Sequence, residues 1–284
     1  MQGGIGLNFG WLQSLLYGFI MGLAEILPVS APAHRALMLK MFGIKDEGAI
    51  FSLLIHFAIL LAVYFSCRIQ ISQMQRQLKI AQIPRRRRRR EPDMQKVLDM
   101  RLMKTAIIPI VLGFLLYPKV SGWRSNLGII SGMLLINGLI LYIPQFLRSG
   151  NKDSRTMSRL DSIVIGFFGA LGVVPGISRI GAMNSAAHSR GADRNQALLW
   201  SLMLSIPVLA CWIGFDVYQL ITLGMDGASL MLIIRSIIAA ATAFGGAVCG
   251  ITAMRAMAAS TGYAGFAYYS WGAALFSLIL YLTT

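Results

Sequence analysis

Apolar residues run in stretches of roughly 20, the length a helix needs to cross a bilayer. They lie near positions 48–67, 102–118, 126–146, 196–214, 230–251 and 265–282. These six runs predict six spanning helices. Two further apolar stretches behave differently: residues 9–27 end at Pro28 and Pro32, and a run beginning near Ile163 ends at Pro175-Gly176. Proline lacks an N–H and clashes with the preceding turn, so each helix should stop there. Backbone broken at membrane depth persists only where protein buries it or where it lines a wet cavity. Both segments are therefore predicted to be re-entrant helical hairpins that enter and leave on one face.

Aligning Pro28 with Pro175 pairs Gly22-Leu23-Ala24-Glu25-Ile26-Leu27 with Gly169-Ala170-Leu171-Gly172-Val173-Val174. The chain thus divides into two related halves, 1–146 and 147–284, each one hairpin plus three spans. An odd number of crossings inverts the second half relative to the first, an arrangement common among transporters. The fold class expected is an all-α polytopic membrane protein built as an inverted-topology repeat, its hairpin tips meeting near the midplane.

Composition agrees: 56% of residues are hydrophobic and 13% charged, with a mean hydropathy of +0.65. A soluble globular chain carries nearer a quarter charged residues. No basic segment precedes the first apolar run and Met1–Leu7 is Gly-rich, so that run is expected to stay in the mature chain. Cys67, Cys211 and Cys249 fall in or beside apolar segments without ligand spacing, which points to buried small hydrophobes rather than disulfides or a zinc site.

The net charge of +15 concentrates in loops. The connection 68–101 holds the run Arg85–Arg90, and Arg148, Lys152, Arg155, Arg159, Arg190, Arg194 and Arg255 fall on the same face of the six-span arrangement. The other face receives Arg35, Lys40, Lys45, Lys119 and Arg124, while its loop 215–229 carries Asp216 and Asp226 and no base. Positive-inside then places the arginine-rich loop in the cytoplasm and both termini outside. No aromatic residues interleave with the arginines, so the run reads as a topology signal near anionic headgroups, not as a nucleic-acid site.

Ionisable groups at membrane depth are costly and mark function by default. Glu25 is the only acid before Asp46 and stands three residues before the first break. It suits a metal ligand or an acid–base group, or alternatively a cap. Arg179 sits in a Gly/Pro-rich tip whose amides suit an anion, and its planar fork suits phosphate oxygens; the alternative is an ion pair to Glu25. His34 offers an acid, a base or a phosphoryl carrier, against a purely structural histidine. Ser30 and Ser178 occupy the tips as nucleophile, phosphate donor or cap. His56 lies within a span and is expected to bond a neighbouring helix, and His188 lies near the far end of the second hairpin. Together these residues describe a pocket for an anionic, phosphate-bearing headgroup whose tail stays in lipid.

At these two motifs the chain resembles the undecaprenyl-pyrophosphate phosphatase family of the bacitracin-resistance type. The resemblance runs from Gly22–Ser30 through His34, Phe51–Phe65, Pro109, Gly113, Asn137-Gly138 and Pro175–Arg179 to Ser201–Pro207. It implies hydrolysis of a polyprenyl pyrophosphate to the monophosphate, in recycling the lipid carrier of cell-wall synthesis. It also implies a bacterial inner-membrane location, a divalent cation (Mg or Ca) held in part by Glu25, and a homodimer as an expected assembly. Glu25, His34, Ser30 and Arg179 become the catalytic set, with Arg179, Ser178, Gly176 and Ser30 on the phosphates. The chain departs from the family pattern where Met21 replaces a first glutamate, Ala31 a second serine, Ile180 a serine and Met183 a threonine. Those losses sustain a second reading, a non-catalytic carrier that moves a polyprenyl phosphate or another anionic lipid between the leaflets.

Overall fold

The computed structural model describes residues 9–147, 150, 152–223, 229–259 and 262–283; Met1–Leu7, Arg148 and Asp226 lie outside them. Apart from one isolated bridge between Lys152 and Ala192, the described residues form helices and turns. The chain opens with α1 (Trp11–Ile26) and α2 (Ala31–Phe42), folded against each other about Leu27–Ser30. At 16 residues, α1 is about 24 Å long, short of a bilayer core of about 30 Å. Pro28 ends it, and Pro32, in the first turn of α2, restarts the helix where a missing N–H costs nothing. The second break repeats the design: α7 (Arg159–Ala170) passes through a short 3-10 turn, Leu171–Val173, into α8 (Arg179–Ser189).

Between and after the hairpins run α3 (Ala49–Gln82), α4 (Met94–Phe114), a single turn α5 (Tyr117–Val120), α6 (Leu127–Tyr142), α9 (Arg194–Leu223), α10 (Leu230–Ala259) and α11 (Gly265–Thr283). Five helical segments are long and apolar enough to cross a membrane; a sixth crossing is reached when α4 and the Tyr117–Ser125 segment, bent by 50°, count as one. Only 22% of the apolar window of α11 is buried inside the protein, and 28% of that of α10. Their outward apolar faces need lipid, and the protein is a polytopic membrane protein.

Two helix ends lie beyond the apolar runs. The connection expected over 68–101 is largely helical: α3 continues to Gln82 and α4 begins at Met94, leaving only 83–93 between them. At 34 residues α3 is about 51 Å long, so it outruns a bilayer core by several turns. Arg88 folds back to donate to the carbonyls of Ala81 and Ile83, both at 2.6 Å, closing the C-terminus of α3 with a cation where the helix dipole favours one. Likewise α9 runs on to Leu223, which moves Asp216 from the expected loop into a helix.

Packing places the short arms. The first arm, α1, lies along α10, and α7 lies along α4. Glycines set both distances: a Cβ on Gly22 would stand 2.1 Å from the Ala243 carbonyl oxygen, and one on Gly166 2.2 Å from that of Ala106. Small residues allow this approach in a membrane, where helices associate by packing and hydrogen bonds rather than by hydrophobic exclusion. In addition α3 packs on α9 and α6 on α11. The hairpin tips meet between these pairs.

Candidate active site

The two tips are tied to each other through polar groups. The amide of Gly176, at φ +104°, donates to Ser30 Oγ at 3.1 Å. Ser178 Oγ donates to the Leu27 carbonyl at 3.3 Å and accepts from Gly181 N–H at 3.2 Å, capping α8. Asn137 of α6 spans both tips: its Oδ1 accepts from Ser178 N–H at 2.8 Å, and its Nδ2 donates to the Pro28 carbonyl at 3.3 Å and to Ser270 Oγ at 2.8 Å. Asn137 and Ser30 are 0% and 1% exposed. A fully buried amide with every contact satisfied fixes geometry strongly, because losing any partner strands a polar group in an apolar interior.

This crossing brings Glu25 and Arg179 together. Arg179 Nη2 lies 2.7 Å from Glu25 Oε1, and both side chains are largely buried. The approach is off the hydrogen-bonding direction, and Arg179 Nε and Nη2 are buried without a hydrogen bond. A guanidinium in that state neutralises its neighbour while retaining N–H groups for a further anion. The tip amides expected to share that task are spent internally: Gly176 N–H on Ser30, Ile177 N–H on the Val174 carbonyl at 3.1 Å, Ser178 N–H on Asn137.

His34 turns away from this pair. Its Nδ1 meets the Ser30 carbonyl at 2.9 Å and its Nε2 meets Tyr269 Oη at 2.6 Å, with the two rings nearly parallel, 5.7 Å apart. His188 belongs to a different, small cavity with Asn184 and Tyr263.

A cavity of about 960 Å³ occupies the face opposite the arginine run, at the start of α3 and the end of α9. Its walls include Arg35, Lys40, Lys45, Glu47, Ser52, His56, Arg124, Trp212 and Asp216. Arg35, Glu47, His56, Arg124 and Trp212 also line a narrower pocket with Met21, Glu25 and Ala31; Trp212, Glu25 and Ala31 reappear beside Arg179 and Ser178. A path thus leads from the open cavity past Trp212 to the Glu25–Arg179 pair. Arg35 is held by Glu47 at 2.5 Å and Asp46 at 2.9 Å. Arg124 donates to Tyr117 Oη at 2.8 Å and lies 4.9 Å from the centre of the Trp212 ring. Arg35 and Arg124, expected only as charges of the outer face, stand on the wall of this cavity; the signal for that role is their place beside hairpin and span ends.

Comparison with known proteins decides the family. The family model described as Bacitracin resistance protein BacA matches residues 14–276. The chain belongs to the BacA family. Similar BacA relatives include the undecaprenyl-diphosphatase of Nocardioides sp. (strain ATCC BAA-499 / JS614), 31% identical over 214 residues, 74% of each chain. That of Carboxydothermus hydrogenoformans is 33% identical over 198 residues, 69% of each chain. That of Alkaliphilus metalliredigens is 25% identical over 230 residues, 80% of this chain and 84% of its own. Of the four departures set out above, Met21 and Ala31 line the same narrow pocket as Glu25, so these two fall inside the site.

Proposed function

We propose that the protein is an undecaprenyl-diphosphatase, releasing inorganic phosphate from undecaprenyl diphosphate, or a related polyprenyl diphosphate, and leaving the monophosphate. The observation that carries this reading is the buried Arg179 guanidinium, with N–H groups uncommitted, beside Glu25 at the inner end of a cavity lined by charged groups in a lipid-embedded fold. Phosphoryl transfer rests mainly on positioning and on charge placed where it develops, and a planar guanidinium serves both. The BacA membership and the names of its relatives support the reaction. In this proposal Arg179 binds the phosphates, Arg35 and Arg124 draw the headgroup inward, and Ser30, Ser178, Gly176 and Asn137 hold the tips in register. His34 fixes the hairpin to α11 through Tyr269.

The proposal includes a divalent cation, Mg or Ca. Among the described residues no group of three or more His, Cys, Asp or Glu side chains is placed to hold a metal. The donors therefore fit only a shared mode, in which the diphosphate oxygens supply most ligands and Glu25 one, as Mg commonly binds. Such a cation would offset charge on the diphosphate.

We also place the arginine-rich turn in the cytoplasm of a bacterial inner membrane, by the positive-inside rule. The cavity then faces outward. Reciprocal packing, α1 on α10 and α7 on α4, supports two inverted repeats.

The test is phosphate release from undecaprenyl diphosphate by the purified protein in detergent, with Mg or Ca and with chelator, beside Arg179→Ala. Release that needs the cation and vanishes in the variant is expected. Lipid binding without release would overturn the hydrolase reading in favour of a carrier. Sizing the same sample tests the homodimer.

A further inference from the structure

One constellation on the cavity wall has no part in that account. Ser52 and His56 stand one helical turn apart on α3, and Asp216 reaches them from α9. His56 Nδ1 lies 2.7 Å from Asp216 Oδ2, and Ser52 Oγ donates to Asp216 Oδ1 at 3.0 Å. Asp216 is 3% exposed. A carboxylate buried that deeply is tolerated when its oxygens are hydrogen-bonded, and here each accepts one bond.

Those contacts assign the imidazole tautomer. An ionised carboxylate only accepts, so Nδ1 is the donor to Asp216, and in the neutral ring the lone pair is on Nε2. Among the described residues Nε2 has no hydrogen-bond partner. Trp212 holds the ring from one side, nearly parallel at 6.1 Å. His56 lines both the wide cavity and the narrower pocket that contains Glu25. The chain has three histidines. His34 is bonded at both nitrogens and His188 lines another cavity, so of the three only His56 combines an unbonded nitrogen with a place on the wall of this cavity.

We infer that His56, oriented by Asp216, is the general base of this site. The inference rests on the proposed hydrolase function. Nε2 takes a proton from a water molecule as that water's oxygen bonds to the terminal phosphorus. The bond from that phosphorus to the bridging oxygen breaks, and the bridging oxygen leaves with its electron pair on the lipid monophosphate. The proton then passes from Nε2 to the departing phosphate or to solvent, restoring the imidazole. Asp216 is a positioning residue: it selects the tautomer and balances the imidazolium as it forms. The charged groups around the ring are Glu25 from α1, Arg35 from α2, Glu47 before α3, Arg124 before α6 and Asp216 from α9. Arg35 is committed to Glu47 and Asp46, which moderates its repulsion of an imidazolium.

Initial rates on undecaprenyl diphosphate for wild type, His56→Gln and Asp216→Asn test this. Glutamine keeps a donor near Asp216 but not a base, so kcat should fall about 100-fold or more with KM within about threefold. Asp216→Asn should lower kcat with KM unchanged. Imidazole 15N shifts should show wild-type His56 protonated at Nδ1 and Asp216→Asn as a mixture of tautomers. A His56→Gln kcat within about twofold of wild type, or a wild-type proton on Nε2, would overturn the inference; the second readout needs no variant to fold. Wild-type release unaffected by His56→Gln sinks only this inference, whereas absence of wild-type release sinks the hydrolase reading with it.

Discussion

Arg179 Nη2 lies 2.7 Å from Glu25 Oε1, across the junction of two hairpins whose residues are far apart in the chain. Each charge makes the other's burial tolerable, and removing one strands the other, at a typical cost of about 3–5 kcal/mol. The asymmetry is informative. Glu25→Gln leaves a buried guanidinium seeking an anion, so pyrophosphate measured by calorimetry in chelator should bind several-fold more tightly than to wild type. Arg179→Ala leaves a buried carboxylate facing the phosphates and should abolish that binding. Weaker binding by Glu25→Gln in chelator would mean that Glu25 acts on the ligand by some route other than restraining Arg179.

Asn137 is expected to matter as much as any charged residue. It satisfies Ser178 N–H, the Pro28 carbonyl and Ser270 Oγ at once. Asn137→Leu keeps the volume and leaves those groups unpaired, at about 1–3 kcal/mol for each buried group stranded. Thermal unfolding in detergent should show a clear loss of stability, and phosphate release should fall with it. Unchanged stability would show that the tips do not depend on this clasp.

Ser30 carries φ +65°, the only positive value at a described non-glycine residue. A non-glycine residue in a sparsely populated region costs about 1–3 kcal/mol. Its oxygen also accepts from Gly176 N–H. Ser30→Ala loses the acceptor and keeps the strain, whereas Ser30→Gly loses the acceptor and relieves it. The glycine variant should therefore be the more stable of the two, the reverse of the usual order inside helices. Equal stability would place the strain elsewhere.

Both hairpins were legible because Pro28, Pro32 and Pro175 interrupt otherwise continuous apolar runs, and few physical reasons permit that in a membrane. The Glu25–Arg179 contact was legible as one of two readings of Arg179. His56 bonded to a neighbouring helix was legible too, since a lone imidazole in a span needs a partner, but Asp216 as that partner was not. Hydropathy marks where a helix leaves the apolar zone, not where it ends, so it put Asp216 in a loop and treated the polar continuation of α3 as a connection. The spent amides at Gly176 and Ser178 were invisible for another reason: whether a tip donates to a ligand or to itself depends on side chains arriving from the turn before α2 and from α6.

Gly22 and Gly132 make a matched pair for testing how the site depends on helix packing. A Cβ on Gly22 would sit 2.1 Å from the Ala243 carbonyl oxygen and 2.9 Å from the Ala243 Cα, backbone that cannot rotate away; around Gly132 on α6 nothing lies within 4 Å. Gly132→Ala should leave stability and phosphate release unchanged or slightly improved, since alanine is the better helix former by about 1 kcal/mol. Gly22→Ala must push α1 off α10, and Glu25 rides on the same helix three residues further on. A shift of about 1 Å in a catalytic group costs on the order of 100-fold in rate. The expected outcome is a large loss of release in Gly22→Ala with the lipid still bound, and none in Gly132→Ala. Full activity in Gly22→Ala would mean that the position of Glu25 is set by its contact with Arg179 rather than by the α1–α10 seam.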